Sequence, residues 1–509
     1  MFTSQNSFGL FGINAFPVQT EMEISSGLPE FNIVGLGDAA VKESKDRIRA
    51  AIRSSGLRIP TAKITVNLAP ADIKKSGSIC DLSIAAALFL LTGEISGDLS
   101  DCAFIGECSL GGDIKAVSGV LPMALLARKT GIKNLFVPYE NAFEASVADG
   151  LNVFGVRSLK NLIEHFSGKT GNTIKPQAKY EIPAVAQSET LDFADVKGHG
   201  VVKKSLEIAA AGGHNLLMIG PPGSGKSMLA KRIPTIMPPL TFDESVDITN
   251  IYSAAGMVDR KSPLITARPF RSPHHNTSTV GLIGGGNVPA PGDISLSHHG
   301  VLFLDELPEF QRNTLEALRQ PIEDNTVTIS RSAGKVTYPC SFMLVAAMNP
   351  CPCGNFGSKV KKCTCNAPAI LKYLSKISGP LLDRFDIHIE VGEIDYDKLS
   401  SDKKEESSAD IRARVSAARA LQQNRYRGTK ITCNAKITEN ILREVCRLTP
   451  EADKTLRDAY ERMGLSARAH ERILKVARTV ADLDGEELIG KPHISRAIQF
   501  RSLDRKYWK

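Results

Sequence analysis

Gly220-Pro-Pro-Gly-Ser-Gly-Lys226-Ser227 is the stretch on which the fold turns. It matches G-x-x-x-x-G-K-[ST], follows the apolar run Leu216–Ile219 and opens a helical pattern over 228–236. Strand, glycine loop and helix, in that order, are the context in which this pattern cradles phosphates. The glycines let backbone N–H groups turn inward, and the helix N-terminus adds a favourable field. The expected nucleotide contacts are Gly220, Pro221, Pro222, Gly223, Ser224, Gly225, Lys226, Ser227 and Met228. Lys226 would neutralise β/γ-phosphate charge, and the Ser227 hydroxyl would ligate Mg²⁺. ATP and Mg²⁺ are therefore the expected cofactors.

A phosphate loop of this kind needs an acidic partner at the end of a buried strand. Val301–Leu304 (VLFL) followed by Asp305-Glu306 supplies it about 80 residues on. Asp305 is placed to hold the metal, and Glu306 to orient or deprotonate the attacking water. A third apolar run, 342–347, leads to Asn349, an amide able to bridge the γ-phosphate and that water. Arg384, in LLDRFD at 381–386, precedes a further apolar run. Spacing alone leaves it either a surface ion pair or a contact to a neighbouring subunit's nucleotide.

Around this segment the chain divides. Its 509 residues exceed one ordinary domain, and 42% hydrophobic with 23% charged residues suits globular cores rather than disorder. Residues 168–188 and 396–408 lack sustained periodicity and are expected to be linkers. They separate an N-terminal part, 1–167, from an α/β core, 189–395, and a helical C-terminal part, 409–509. The N-terminal part mixes short strands (64–68, 103–105, 134–137) with helices (39–54, 81–91, 121–130). The C-terminal part is helical at 412–423, 439–448, 451–462 and 468–483. The net charge is +8, and the excess is local: residues 410–509 hold 22 Lys and Arg against 13 Asp and Glu. An arginine-rich helix over 412–427 is suited to a DNA contact or to a solvated face. The first charged residue is Glu21, and the most apolar stretch, 82–91, is half a membrane span. A cytoplasmic protein is expected.

Ten cysteines are present, four of them crowded at Cys351, Cys353, Cys363 and Cys365. Two C-x-C pairs suit a closed four-thiolate zinc site, with reduced loop thiols as the other reading. A hairpin is expected from the alternation at 326–330 and 336–338, with Arg331 and Lys335 at its tip. The pairs His274-His275 and His298-His299 are expected to be structural or pore-lining. Adjacent strand residues point to opposite faces, so each pair offers at most one ligand to a common centre.

GPPGSGKS, VLFLDE, AAMNP and LLDRFD in this order resemble the AAA+ ATPases. PGDISLSHHG at 291–300 fits the branch of magnesium-chelatase ATPase subunits and minichromosome-maintenance helicases. NPCPCG at 349–354, SGPLLDRFD at 378–386 and SARAHERILKVARTVADL at 466–483 resemble the ComM/YifB family of bacterial competence-associated ATPases. The resemblance implies an α/β AAA+ P-loop NTPase core with a C-terminal helical lid. It makes Asn349 sensor 1, Arg384 the arginine finger and Arg468 sensor 2, with Arg472 the rival. It also implies a homo-hexameric ring that drives DNA branch migration or unwinding in recombination, acting on single-stranded, forked or branched DNA. In that branch the hairpin points into the central pore, so Arg331 and Lys335 would grip phosphates. A protein-remodelling ATPase of the chelatase type is the alternative.

GECSLGGDIKAVSG at 106–119 and GIKNLFVP at 131–138 resemble the proteolytic domain of Lon, which implies an α+β N-terminal domain. Alignment on Lon's motifs puts Ile79 at the nucleophile and Leu121 at the lysine. A peptidase-inactive domain is expected, serving as a platform for DNA or a partner and keeping Lys74 and Lys75. A shifted pair of Ser78 with either lysine is the lesser reading.

Overall fold

The computed structural model describes all residues except 36, 74, 76, 168–171, 182–190, 287–288, 332–333, 359–360, 395–404 and 509. Both expected linkers therefore lie largely outside the described residues.

The phosphate-loop segment builds a five-stranded sheet in the spatial order Phe270–Arg271, Val301–Leu304, Met343–Met348, Leu216–Ile219, Ile387–Glu390. Every pairing in it is parallel. Parallel sheets are covered on both faces, which is why these strands are near-continuous apolar runs. Alternate side chains serve two cores. Leu216, Met218, Phe303 and Val345 pack with helix Gly200–Gly212 and the phosphate-loop helix Lys226–Ile236. Leu217, Ile219, Leu304 and Leu344 pack with hairpin residues Val327, Ile329, Val336 and Tyr338. The hairpin pairs Thr326–Arg331 with Gly334–Pro339, its turn residues lying outside the described set.

C-terminal to the sheet come helices Ser408–Arg425, Glu439–Val445, Pro450–Met463, Ala467–Asp484, Lys491–Gln499 and Ser502–Tyr507. Ser466 caps the fourth by accepting from Ala469 N, and Gly485 ends it in a left-handed conformation. Its buried stripe, Ala469, Ile473, Val476, Ala477 and Val480, recurs at helical spacing. Ile473, Val476, Ala477 and Val480 of this stripe join the same hydrophobic cluster as the sheet strands.

Residues 2–166 carry a seven-stranded mixed sheet in the order Glu30–Val34, Lys63–Ala69, Asn14–Ser25, Phe2–Phe11, Cys102–Phe104, Asn134–Pro138, Asn152–Val156. Helix Asp81–Thr92 is apolar nearly all round and buried over most of its length. The long hairpin Phe2–Phe11 with Asn14–Ser25 escapes sequence inspection because its buried face is partly polar. Gln5, Ser7 and Thr20 are all buried. Ser7 Oγ donates to Phe104 O at 2.8 Å, and the Thr20 and Ser83 hydroxyls lie 2.7 Å apart.

This N-terminal unit is docked on the core. Gly119 N donates to Ser253 O at 2.9 Å, and Ser253 Oγ donates to Glu144 Oε1 at 2.5 Å. Leu121 and Val147 share a cluster with Leu264 of the core. A second contact joins the Phe11-Gly12 turn to the hairpin: a Cβ built on Gly334 would stand 2.7 Å from the Phe11 ring.

Candidate nucleotide site and cysteine knuckle

Three adjacent parallel strands end side by side, and their carboxyl ends bring the motif residues together. Ligands of open α/β sheets bind at that edge, where strand order reverses. A cavity of about 370 Å³ is lined there by Pro222, Gly223, Ser224, Gly225, Lys226, Ser227, Met228, Asp305, Glu306, Met348 and Asn349. Gly223 and Gly225 adopt φ of +77° and +85°, which a side chain would oppose. Lys226 Nζ donates to Gly220 O at 2.7 Å, Pro221 O at 2.8 Å and Asn349 Oδ1 at 3.3 Å. Burial lowers the Lys226 ammonium's pKa against the opposing pull of Asp305 and Glu306. Ser227 Oγ donates to Asp305 Oδ2 at 2.5 Å, so the two expected Mg²⁺ ligands are already adjacent. A hydroxyl and a carboxylate are hard oxygen donors suited to that ion.

Glu306 sits at φ +52°, a left-handed conformation rare for a side-chain-bearing residue and characteristic of functional positions. Its Oε2 lies 3.2 Å from His275 Nδ1. Sequence reasoning missed this partner: His275 lies in an irregular stretch whose periodicity carries no signal. The other pair departs from the expectation that adjacent histidines face opposite ways: His298 and His299 lie in a turn, and their ligand atoms and that of Asp247 fall within 4.8 Å of one another. His298 accepts from Ser341 N at 2.9 Å, and burial pushes its imidazole down to about 3, keeping it neutral.

Arg384 and Arg468 lie elsewhere. Both line a larger cleft of about 860 Å³ between the core and the C-terminal helices, away from the chain's own phosphate loop. The smaller cavity is the nucleotide candidate because the phosphate-binding backbone and both carboxylates converge there. Arg384 is 4% exposed and pairs with Glu323 at 2.5 Å. Arg468 is exposed, whereas its rival Arg472 is engaged with the buried Asp386. Beside Arg472, and despite burial, Asp386 holds its carboxyl well below the usual range.

The cysteine knuckle begins two residues after Asn349. Cys351 Sγ is 3.4 Å from Cys353 Sγ and 3.8 Å from Cys363 Sγ, and Cys353 and Cys363 are 3.6 Å apart. Ligand atoms of all four cysteines, Cys365 included, fall within 4.8 Å of one another. A tetrahedral zinc with Zn–S near 2.3 Å holds its sulfurs about 3.8 Å apart, so this donor set fits the ion. Backbone N–H groups of Thr364 and Asn355 hold the Cys353 thiol below its usual range, and Phe356 N donates to Cys351 Sγ at 3.3 Å.

Arg331 and Lys335 are exposed next to the hairpin turn. In the N-terminal unit, Ile79 packs against the cluster of Val120, Met123 and Ala124, and Leu121 is fully buried. Ser78 and Lys75 do not form the shifted pair. Ser78 Oγ donates to Glu107, and Lys75 Nζ, on a residue 2% exposed, has no hydrogen-bond partner among the described residues. Lys74 lies outside the described residues.

Comparison with known proteins places these features in a lineage. The family described as magnesium chelatase, subunit ChlI, matches residues 192–399, and its C-terminal part matches 405–501. Subunit ChlI of Mg-chelatase matches residues 20–141. The chain is 42% identical over 496 residues to the uncharacterized protein YifB of Salmonella typhimurium, covering 97% of this chain and 96% of that one. It is 39% identical over 499 residues to competence protein ComM of Haemophilus influenzae, again 97% and 96%. Lon protease 2 of Bacillus subtilis is 27% identical over 124 residues, 24% of this chain and 22% of that protein.

Proposed function

The chain belongs to the YifB/ComM family of magnesium-chelatase-like AAA+ proteins, and we propose that it is a cytoplasmic, hexameric ATP-hydrolysing motor that drives DNA branch migration or unwinding during homologous recombination, as in natural transformation. The observation that carries the ATPase reading is the convergence of Lys226, Ser227, Asp305, Glu306 and Asn349 at one sheet edge. Lys226 turns from the loop carbonyls to the β- and γ-phosphates. Ser227 and Asp305 hold Mg²⁺, which when bound neutralises charge on those phosphates. Glu306, oriented by its backbone conformation and by His275, accepts the proton of the attacking water. Asn349 holds the γ-phosphate and that water in line.

Arg384 acts as the arginine finger and Arg468 as sensor 2. Their shared cleft, remote from the chain's own phosphate loop, suits both to the nucleotide of a neighbouring subunit in a ring. Residues 1–167 form a Lon-like domain without peptidase activity, 189–395 the ATPase core and 409–509 the helical lid. The four thiolates at 349–366 hold a structural zinc. That no helix of the described residues is long and apolar enough to cross a membrane accords with this reading.

DNA as the substrate rests on the likeness to competence protein ComM and on the exposed Arg331 and Lys335. The chelatase likeness favours a second reading, a protein-remodelling ATPase. The deciding experiment is ATPase and Holliday-junction migration measured beside Lys226→Ala, with and without single-stranded or forked DNA. A DNA motor shows stimulated turnover and binding that weakens steeply with salt. Turnover indifferent to DNA, with Lys226→Ala still moving junctions, would sink it.

A further inference from the structure

The knuckle does more than follow sensor 1 along the chain; it abuts the phosphate loop. A Cβ built on Gly354 would stand 2.5 Å from Pro222 Cδ and 3.2 Å from its Cγ. Gly354 also adopts φ +79° and donates its N–H to Cys351 O at 2.9 Å, closing the turn that carries the first C-x-C pair. Only a residue without Cβ satisfies both the turn and the close approach. On its other flank the knuckle is held by the last helix, Ser502–Tyr507, and by the segment just after the last sheet strand. The Phe356 ring lies 6.2 Å from that of Tyr507, and Ser358 Oγ donates to Glu393 at 3.2 Å. Cys351 is fully buried, and Asn349, two residues before it, accepts from Lys226.

A fifteen-residue loop with few apolar side chains cannot hold such a position by burial alone. Four cysteines drawn to one point can, because metal ligation supplies the free energy that a small unit lacks. We propose that zinc bound by Cys351, Cys353, Cys363 and Cys365 clamps the knuckle against Pro222, so that the metal fixes both the phosphate loop and Asn349 and sets nucleotide affinity. The ion takes no part in hydrolysis, since four thiolates close its coordination. It acts as a brace. This rests on the ATPase reading above and adds the element that keeps its pocket in shape.

The test pairs metal analysis with binding of a fluorescent ATP analogue in the presence of Mg²⁺, on the full chain. Wild type is expected to carry one zinc per chain. Stripping it with a mercurial and a chelator should weaken nucleotide binding about tenfold or more, and restoring zinc under reducing conditions should recover it. Gly354→Ala separates metal from brace: it should keep its zinc yet bind nucleotide more weakly, with helical content unchanged by circular dichroism. Zinc-free wild type binding nucleotide undiminished, or wild type purified without zinc, would overturn the proposal alone. Failure of the zinc-loaded protein to bind nucleotide would overturn the ATPase reading and this brace with it.

Discussion

Two regions of this molecule carry likeness to enzymes, and the side chains at their candidate sites differ sharply. At the sheet edge of the core, Lys226 bonds Asn349, Ser227 bonds Asp305, and Glu306 stands beside them in a left-handed backbone conformation. In the N-terminal unit, the positions expected from the resemblance to Lon to carry the nucleophile and the lysine hold Ile79 and Leu121. Ile79 packs on its own domain's core. Leu121 looks across to Leu264, and its backbone N–H is taken by Glu144, whose carboxylate also accepts from Ser253 of the core. These contacts make this part of the N-terminal unit a joint with the core.

The strongest way to break this contrast is at the intact site. Glu306→Gln keeps shape and metal contacts but cannot accept a proton, so kcat for ATP should fall about 10²–10⁴-fold while nucleotide affinity changes little. Steady-state hydrolysis beside equilibrium binding checks both halves. Retained turnover would mean that the base lies elsewhere. The complementary challenge addresses the N-terminal unit. Ile79→Ser with Leu121→Lys supplies the side chains of a Ser–Lys pair, yet it buries an ammonium against Leu264. We expect a stability loss of roughly 3 kcal/mol in denaturant titration and no peptide hydrolysis. Detectable cleavage would show that the site is dormant rather than dismantled.

Smaller effects sharpen the comparison. His275→Ala removes the partner of Glu306 while leaving the loop that binds phosphates. It should lower kcat roughly tenfold with KM for ATP nearly unchanged, because a positioning residue acts through the base alone. A rise in KM instead would place His275 on the nucleotide. Arg331→Ala and Lys335→Ala should each weaken DNA binding uniformly across sequences and flatten its salt dependence by about one phosphate's share. An unchanged salt slope would argue for the protein-remodelling alternative.

Much of this was legible because the signals are local. The strands Leu216–Ile219 and Val301–Leu304 stand where apolar runs put them, and the four expected C-terminal helices begin and end within a few residues of their periodic patterns, whereas Lys491–Gln499 and Ser502–Tyr507 went unread. Glycine spacing, a lysine and a strand-end acid pair define the phosphate site without reference to distant sequence. The unreadable parts are contacts between remote segments. The pairing of His275 with Glu306 joins an irregular loop to a strand end. The approach of Gly354 to Pro222 joins residues more than a hundred apart. Arg384 was singled out by position, but its pairing with Glu323 joins the turn after helix Gly379–Leu382 to helix Arg319–Asp324. The long N-terminal hairpin hid because Gln5, Ser7 and Thr20 face its core, which erases the alternation that marks a strand.

The turn at Phe11 and Gly12 also bears on how the molecule handles force. Phe11 leans on Gly334, and a side chain on Gly12 would collide with Val336, so the first hairpin of the N-terminal sheet rests on the hairpin that carries Arg331 and Lys335. The two strands that meet at that turn are neighbours at the centre of the seven-stranded sheet. A load placed on the basic hairpin would therefore bear on the middle of that sheet rather than on an edge.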